Sequence, residues 1–92
     1  MEIKIKLNNM KYRYDVYQMF NIYFPLDEIK FLDDGDYIVN ILDGKIEFKY
    51  GEYYNESKIL ENIKEDIKKL VFSSLKELTK EEYPWGILVG IR

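Results

Sequence analysis

The sequence predicts an α+β fold, a two-layer sandwich in which two helices cover one face of a four-stranded, mostly antiparallel sheet. Three observations carry this expectation: an opening segment that alternates apolar and charged residues, an Asp-Gly dipeptide between two alternating runs, and a long stretch with apolar residues at helical spacing.

In Glu2 to Leu7, the apolar Ile3, Ile5 and Leu7 alternate with Glu2, Lys4 and Lys6, the period of a half-buried strand. Asn8 and Asn9 are capping residues for the helix after them. Tyr12, Val16, Met19, Phe20 and Tyr23 recur at spacings of three and four, an amphipathic helix that ends before Pro25. Tyr12, Tyr14, Tyr17, Phe20, Tyr23 and Phe24 cannot all face one core from a single helix, so some are expected at the surface or against another domain. Glu28 to Leu32 reads as a second strand, and Asp33-Asp34-Gly35-Asp36 as the turn into a third, Tyr37 to Leu42.

Asp43-Gly44 predicts a two-residue type I′ hairpin, pairing Ile41 with Ile46 and Val39 with Phe48. Tyr37, Val39, Ile41, Ile46, Phe48 and Tyr50 then share the core face, and Lys45, Glu47 and Lys49 the other. After a loop at Gly51 to Asn55, the pattern Ile59, Leu60, Ile63, Ile67, Leu70, Val71, Ser74, Leu75, Leu78 predicts one helix from about Glu56 to about Lys80. The predicted order is β-α-β-β-β-α, with the first helix as a crossover and the place of the first strand left open.

The chain has 92 residues, enough for one core, and 47% apolar with 34% charged residues suits a folded domain. Fourteen Lys and Arg against seventeen Asp and Glu give a net charge of -3, which supplies no general attraction to nucleic acid. No apolar stretch approaches the roughly 20 residues of a membrane span, and a cytoplasmic location is expected.

With no Cys and no His, the chain lacks the ligands of a Cys/His zinc site or a thiolate-held iron-sulfur cluster and the base of a His-dependent nucleophile. No catalytic set and no metal site is assigned. Asp33, Asp34, Asp36 and Asp43 lack the alternating ligands and terminal Glu of an EF-hand and read as turn residues. The nine tyrosines offer flat faces for a planar ligand, but packing is the commoner use of such residues where basic side chains are not interleaved.

Pro84 ends the last helix, and the only Trp comes directly after it in Tyr83-Pro84-Trp85-Gly86-Ile87-Leu88-Val89-Gly90-Ile91-Arg92. This segment resembles the junction motif of HemZ-type oxygen-independent coproporphyrinogen III oxidase-like proteins, in which Thr usually stands where this chain has Val89. Phe20 to Pro25 also resembles an aromatic-Pro segment of that family. The resemblance implies an accessory domain over residues 1–82 and a junction over 83–92 that leads to a radical SAM domain of the same polypeptide. It implies a docking role for Pro84, Trp85, Gly86, Gly90 and Arg92. The [4Fe-4S] cluster and S-adenosylmethionine would be held by a Cys-x-x-x-Cys-x-x-Cys motif that this chain does not contain. The alternative is a stand-alone protein-interaction module that uses its aromatic-rich first helix.

Overall fold

The structure, a computed structural model, describes residues 1–82, with side chains through Lys80. Strand β1 (Glu2–Leu7) is followed by a 3-10 turn (Met10–Tyr12), helix α1 (Arg13–Tyr23), strands β2 (Glu28–Phe31), β3 (Tyr37–Ile41), β4 (Lys45–Tyr50) and β5 (Tyr53–Lys58), and helix α2 (Ile63–Glu82). The sheet has the order β2-β1-β3-β4-β5, so the first strand lies between the second and the third.

The α+β class and the two helices on one face agree with the sequence expectation. Val16 and Phe20 of α1 and Ile67, Leu70, Val71, Leu75 and Leu78 of α2 share one core with Ile3, Ile5, Tyr37, Val39, Ile46 and Phe48 of the sheet. The strand registers Val39↔Phe48 and Ile41↔Ile46 are those predicted. Aromatic rings fill the middle of this core. Phe20 meets Tyr37 edge-on at 5.1 Å between centroids, and Tyr37 stacks on Tyr50 at 4.2 Å, the offset and edge geometries that ring quadrupoles favour.

Four expectations are corrected: the sheet, the start of the second helix, the Asp43-Gly44 turn and the role of Asn8. The sheet has five strands and is mixed, because β1 runs parallel to both neighbours while β3, β4 and β5 form an antiparallel meander. The missing strand is β5, which occupies most of the supposed loop and the first three residues of the supposed helix. Gly51 has φ of 59° and Glu52 a negative φ, the signs of a type II′ hairpin turn, and this folds Tyr53 back onto Tyr50. In β5 the alternate residues Tyr53, Asn55 and Ser57 face the core side. Their polarity hid the period, and Asn55 Nδ2 donates to the buried Ser74 Oγ at 3.1 Å.

Helix α2 therefore starts at Ile63. The Asn62 side chain accepts from the Lys64 and Glu65 backbone N–H groups at 3.2 and 3.3 Å, and the buried Asp66 carboxylate accepts from Leu60 N–H at 2.9 Å. These bonds satisfy first-turn donors and hold Ile59 to Asn62 outside the helix.

The Asp43-Gly44 turn is not type I′. Gly44 has φ of 80° while Asp43 keeps a negative φ, the sign pattern of type II. The Gly44 carbonyl accepts from Ile59 N–H at 3.0 Å, so the turn peptide serves the end of β5 as well as its own hairpin.

Parallel neighbours ordinarily need a connection of a dozen or more residues, yet Leu32 to Asp36 takes the chain from β2 across β1 to β3. It suffices because no return is required. Phe31 ends β2 opposite Ile5 on one side of β1, and Tyr37 begins β3 opposite the same Ile5 on the other. Gly35 lies so close to β1 at this crossing that a Cβ there would stand 2.5 Å from the Ile5 carbonyl carbon and the Lys6 nitrogen. Asn9 caps the 3-10 turn, with its side chain accepting from Lys11 N–H. Asn8 does something else: its amide donates to the Ile41 carbonyl at 3.0 Å and accepts from the Ile41 N–H at 2.8 Å, continuing the β1–β3 pairing past the end of β1.

Candidate functional site

The junction residues Pro84, Trp85, Gly86, Gly90 and Arg92 lie outside the described residues. The structure does place the base from which that segment leaves. Helix α2 is fixed along its length by Ile67, Val71 and Leu75, all fully buried, and by Leu78 near its end.

The aromatic residues divide as the helical period requires. Tyr12 and Phe20 enter the core and Tyr23 and Phe24 pack at its margin, while Tyr14 and Tyr17 remain exposed. Beside α1, Tyr23 of α1 and Phe72 of α2 form a tilted pair at 5.4 Å between centroids, and Phe72 and Ile22 stay open to solvent. Burial pushes the Tyr23 hydroxyl above its ordinary range. About two turns back along α1 and one along α2, the largely buried Asp15 carboxylate stands 3.9 Å from Lys68 Nζ.

The opposite face of the sheet is polar. On β4 and β5, Glu47 and Glu56 are directly paired across the strands, where like charges would repel. Lys45 Nζ offsets this at 3.5 Å from Glu47 Oε2 and 3.3 Å from Glu56 Oε2. The Tyr54 hydroxyl stands 2.8 and 2.7 Å from the same two oxygens. A phenol has one proton, so it donates to one carboxylate at a time. The hydrogen bond from Tyr54, then the charge of nearby lysines, holds both carboxyls below the usual range, and the two acids raise the phenol. At the other end of this face, Lys30 Nζ lies 2.8 Å from Glu2 Oε2, lowering that carboxyl and raising the ammonium.

The Lys45–Glu56 side of the cluster borders an open depression that it shares with Asp43, Gly44, Ser57 and Lys58, and its carboxylates are engaged by Lys45 and by the Tyr54 hydroxyl. Among the described residues no group of three or more acidic side chains is placed to hold a metal ion. Asp33, Asp34 and Asp36 lie in the crossing loop and Asp43 in the hairpin turn, all exposed. The Tyr54–Glu47–Glu56 cluster was not foreseen. Its signal was the alternation of Tyr54, Glu56 and Lys58, legible only once β5 is read as a strand.

No helix among the described residues is long and apolar enough to cross a membrane. Comparison with known protein families, with curated proteins and with solved structures finds no match to this chain.

Proposed function

We propose that the chain is the amino-terminal accessory domain of a larger oxygen-independent coproporphyrinogen III oxidase-like radical SAM protein of porphyrin and haem biosynthesis, and that it docks rather than catalyses. The observation that carries this is the segment Pro84 to Arg92, whose Pro-Trp-Gly-Ile-Leu-x-Gly-Ile-Arg pattern resembles that family's junction motif. The fold supports it in a general way. A one-sided sheet with both helices on the same core makes a self-contained unit, and α2 delivers the chain to the motif from a firmly packed base. The [4Fe-4S] cluster and S-adenosylmethionine belong to the downstream domain, because this chain has no thiolate to ligate iron. Pro84, Trp85, Gly86, Gly90 and Arg92 are the contacts to that domain.

The test begins with the coding sequence past Arg92. A Cys-x-x-x-Cys-x-x-Cys motif there, and a protein that takes up an iron-sulfur cluster on anaerobic reconstitution while the 92-residue chain stays colourless, are the expected results. A polypeptide that carries no such motif and takes up no cluster overturns the proposal. The exposed Tyr14 and Tyr17 on α1 favour, as second choice, a stand-alone interaction module, and a stop codon at this point would select it.

A further inference from the structure

Strand β5 forms one edge of the sheet with 6 residues, against 4 in β2 at the other edge. Its ladder with β4 decides which backbone groups face outward. Tyr53 pairs with Tyr50 across the hairpin turn, and Ile59 N–H donates to the Gly44 carbonyl, so Tyr53, Asn55 and Ser57 direct their N–H and C=O groups to β4. Those of Tyr54, Glu56 and Lys58 point away from the sheet. Such an edge is a template for another strand unless proline, a bulge or a covering element blocks it. Strand β5 contains no proline and no residue of positive φ, and it pairs with β4 in unbroken register.

We propose that two copies of this chain join edge to edge through β5, antiparallel about a two-fold axis at Asn55, with their α2 helices side by side on the same face of the joined sheet. Charge selects the register. An axis at Tyr54 or at Glu56 sets glutamates opposite one another, and an axis at Ser57 draws in Leu60, whose N–H is already held by Asp66. With the axis at Asn55, the backbone of Tyr54 bonds that of Glu56 in the second copy, and the reverse, while Lys58 stands opposite Glu52.

The helices agree with this axis. As the chain runs from Asn55 to Leu60, the α2 residues bonded to it run back from Ser74 to Asp66, so α2 is antiparallel to β5 and Ser74 is level with Asn55. Helix α2 packs on both β4 and β5, so the two copies of it lie about two strand spacings apart, about 10 Å, a distance at which helices pack. They meet on the flank away from α1. Lys68 and Phe72 face α1, whereas Lys69 borders a depression shared with Leu60, just past β5, and Ser73 and Glu77 follow it at spacings of four. The two-fold then centres on Ser73 and sets Lys69 of each copy beside Glu77 of the other. Among the described residues neither side chain has an ion-pair partner in its own chain, so both are free to pair across the interface. The pairing is independent of any downstream domain.

Sedimentation of the 92-residue chain over a concentration series should show a reversible approach to twice the mass of the chain. The amides of Tyr54 and Glu56 should exchange with deuterium many-fold more slowly in the dimer than after dilution to the monomer, while that of Ile29 at the β2 edge is unchanged. Lys69→Glu and Glu77→Lys, both at exposed positions, should each raise the dimer dissociation constant about ten-fold or more and leave the urea midpoint of the monomer in place. Combined in one chain, the two reversals should recover most of the lost affinity. A chain that stays monomeric at every concentration, a dimer indifferent to both reversals, or a dimer in which Tyr54 and Glu56 exchange as fast as in the monomer overturns the proposal.

Discussion

Phe48 is fully buried and touches Phe20, Tyr37 and Tyr53, so its removal takes away both burial and ring contacts. Phe48→Ala should cost about 3–5 kcal/mol in urea unfolding, whereas Lys49→Ala, next along β4 but on the open face, should change stability by no more than about 0.5 kcal/mol. Equal losses would mean the strand faces are exchanged. Tyr54 offers a test by pH. Glu47 and Glu56 are held below their ordinary value of 4.5, so what they add to stability is complete above that value and is lost as pH falls through the lowered one. Tyr54 and Lys45 are raised above 10.0 and 10.5, so their contribution is complete below those values and is lost as pH rises through the raised ones. The stability difference between the native chain and Tyr54→Phe should therefore be flat near neutrality and shrink toward both acid and alkali. A difference that grows on acidification would show that the phenol does not stabilise the ionised pair. Salt should weaken the effect, since the cluster is exposed.

Among the elements, those whose apolar residues keep a clean period were legible in the sequence. Strand β1, helix α1 and the β3–β4 hairpin all stand where alternation or helical spacing puts them, and the hairpin register is fixed because a slip of one residue would turn Phe48 and Val39 to solvent. Strand β5 was not legible because its inward residues are Tyr53, Asn55 and Ser57, and Asn55 is satisfied by Ser74, a partner 19 residues away. Ile59 and Leu60 then happen to extend the helical period of α2 backward, although Leu60 is exposed and its N–H is held by Asp66. Local pattern cannot distinguish these cases; the turn at Gly51-Glu52 and the cap at Asn62 can. Asn62→Ala should cost about 1 kcal/mol, measured by thermal or urea unfolding, with the loss concentrated in amide exchange of the first turn of α2. The same substitution at Glu61, which caps nothing, should be nearly silent.

For the molecule as a whole, the class and the layer arrangement were readable because both helices carry a single apolar stripe. The mixed sheet was not, since nothing local in Leu32 to Asp36 tells the chain to cross β1 rather than turn back. Gly35 is the residue that permits the crossing. Gly35→Ala should destabilise by about 1–3 kcal/mol, the range for overpacking a tight site, because the atoms it would strike are the backbone of Ile5 and Lys6. A silent Gly35→Ala in urea unfolding would show that the loop can lift away from β1. The junction residues Pro84, Trp85, Gly86, Gly90 and Arg92 were assigned from likeness alone, and their docking role is tested by unfolding: Trp85→Ala should barely alter the urea midpoint of the 92-residue chain yet loosen its hold on the rest of the complete polypeptide, and a loss of about 3–5 kcal/mol in the 92-residue chain would make Trp85 ordinary core instead. The crossing also gives the domain a mechanical polarity. Strand β1 is gripped in parallel by β2 on one flank and β3 on the other, with Gly35 strapped over it, so a pull on Met1 along the strand loads both ladders in shear and their hydrogen bonds must yield together. A pull that peels β5 from the far edge opens its bonds one after another. In a force spectrometer, the same fold should resist the first geometry at a markedly higher force than the second.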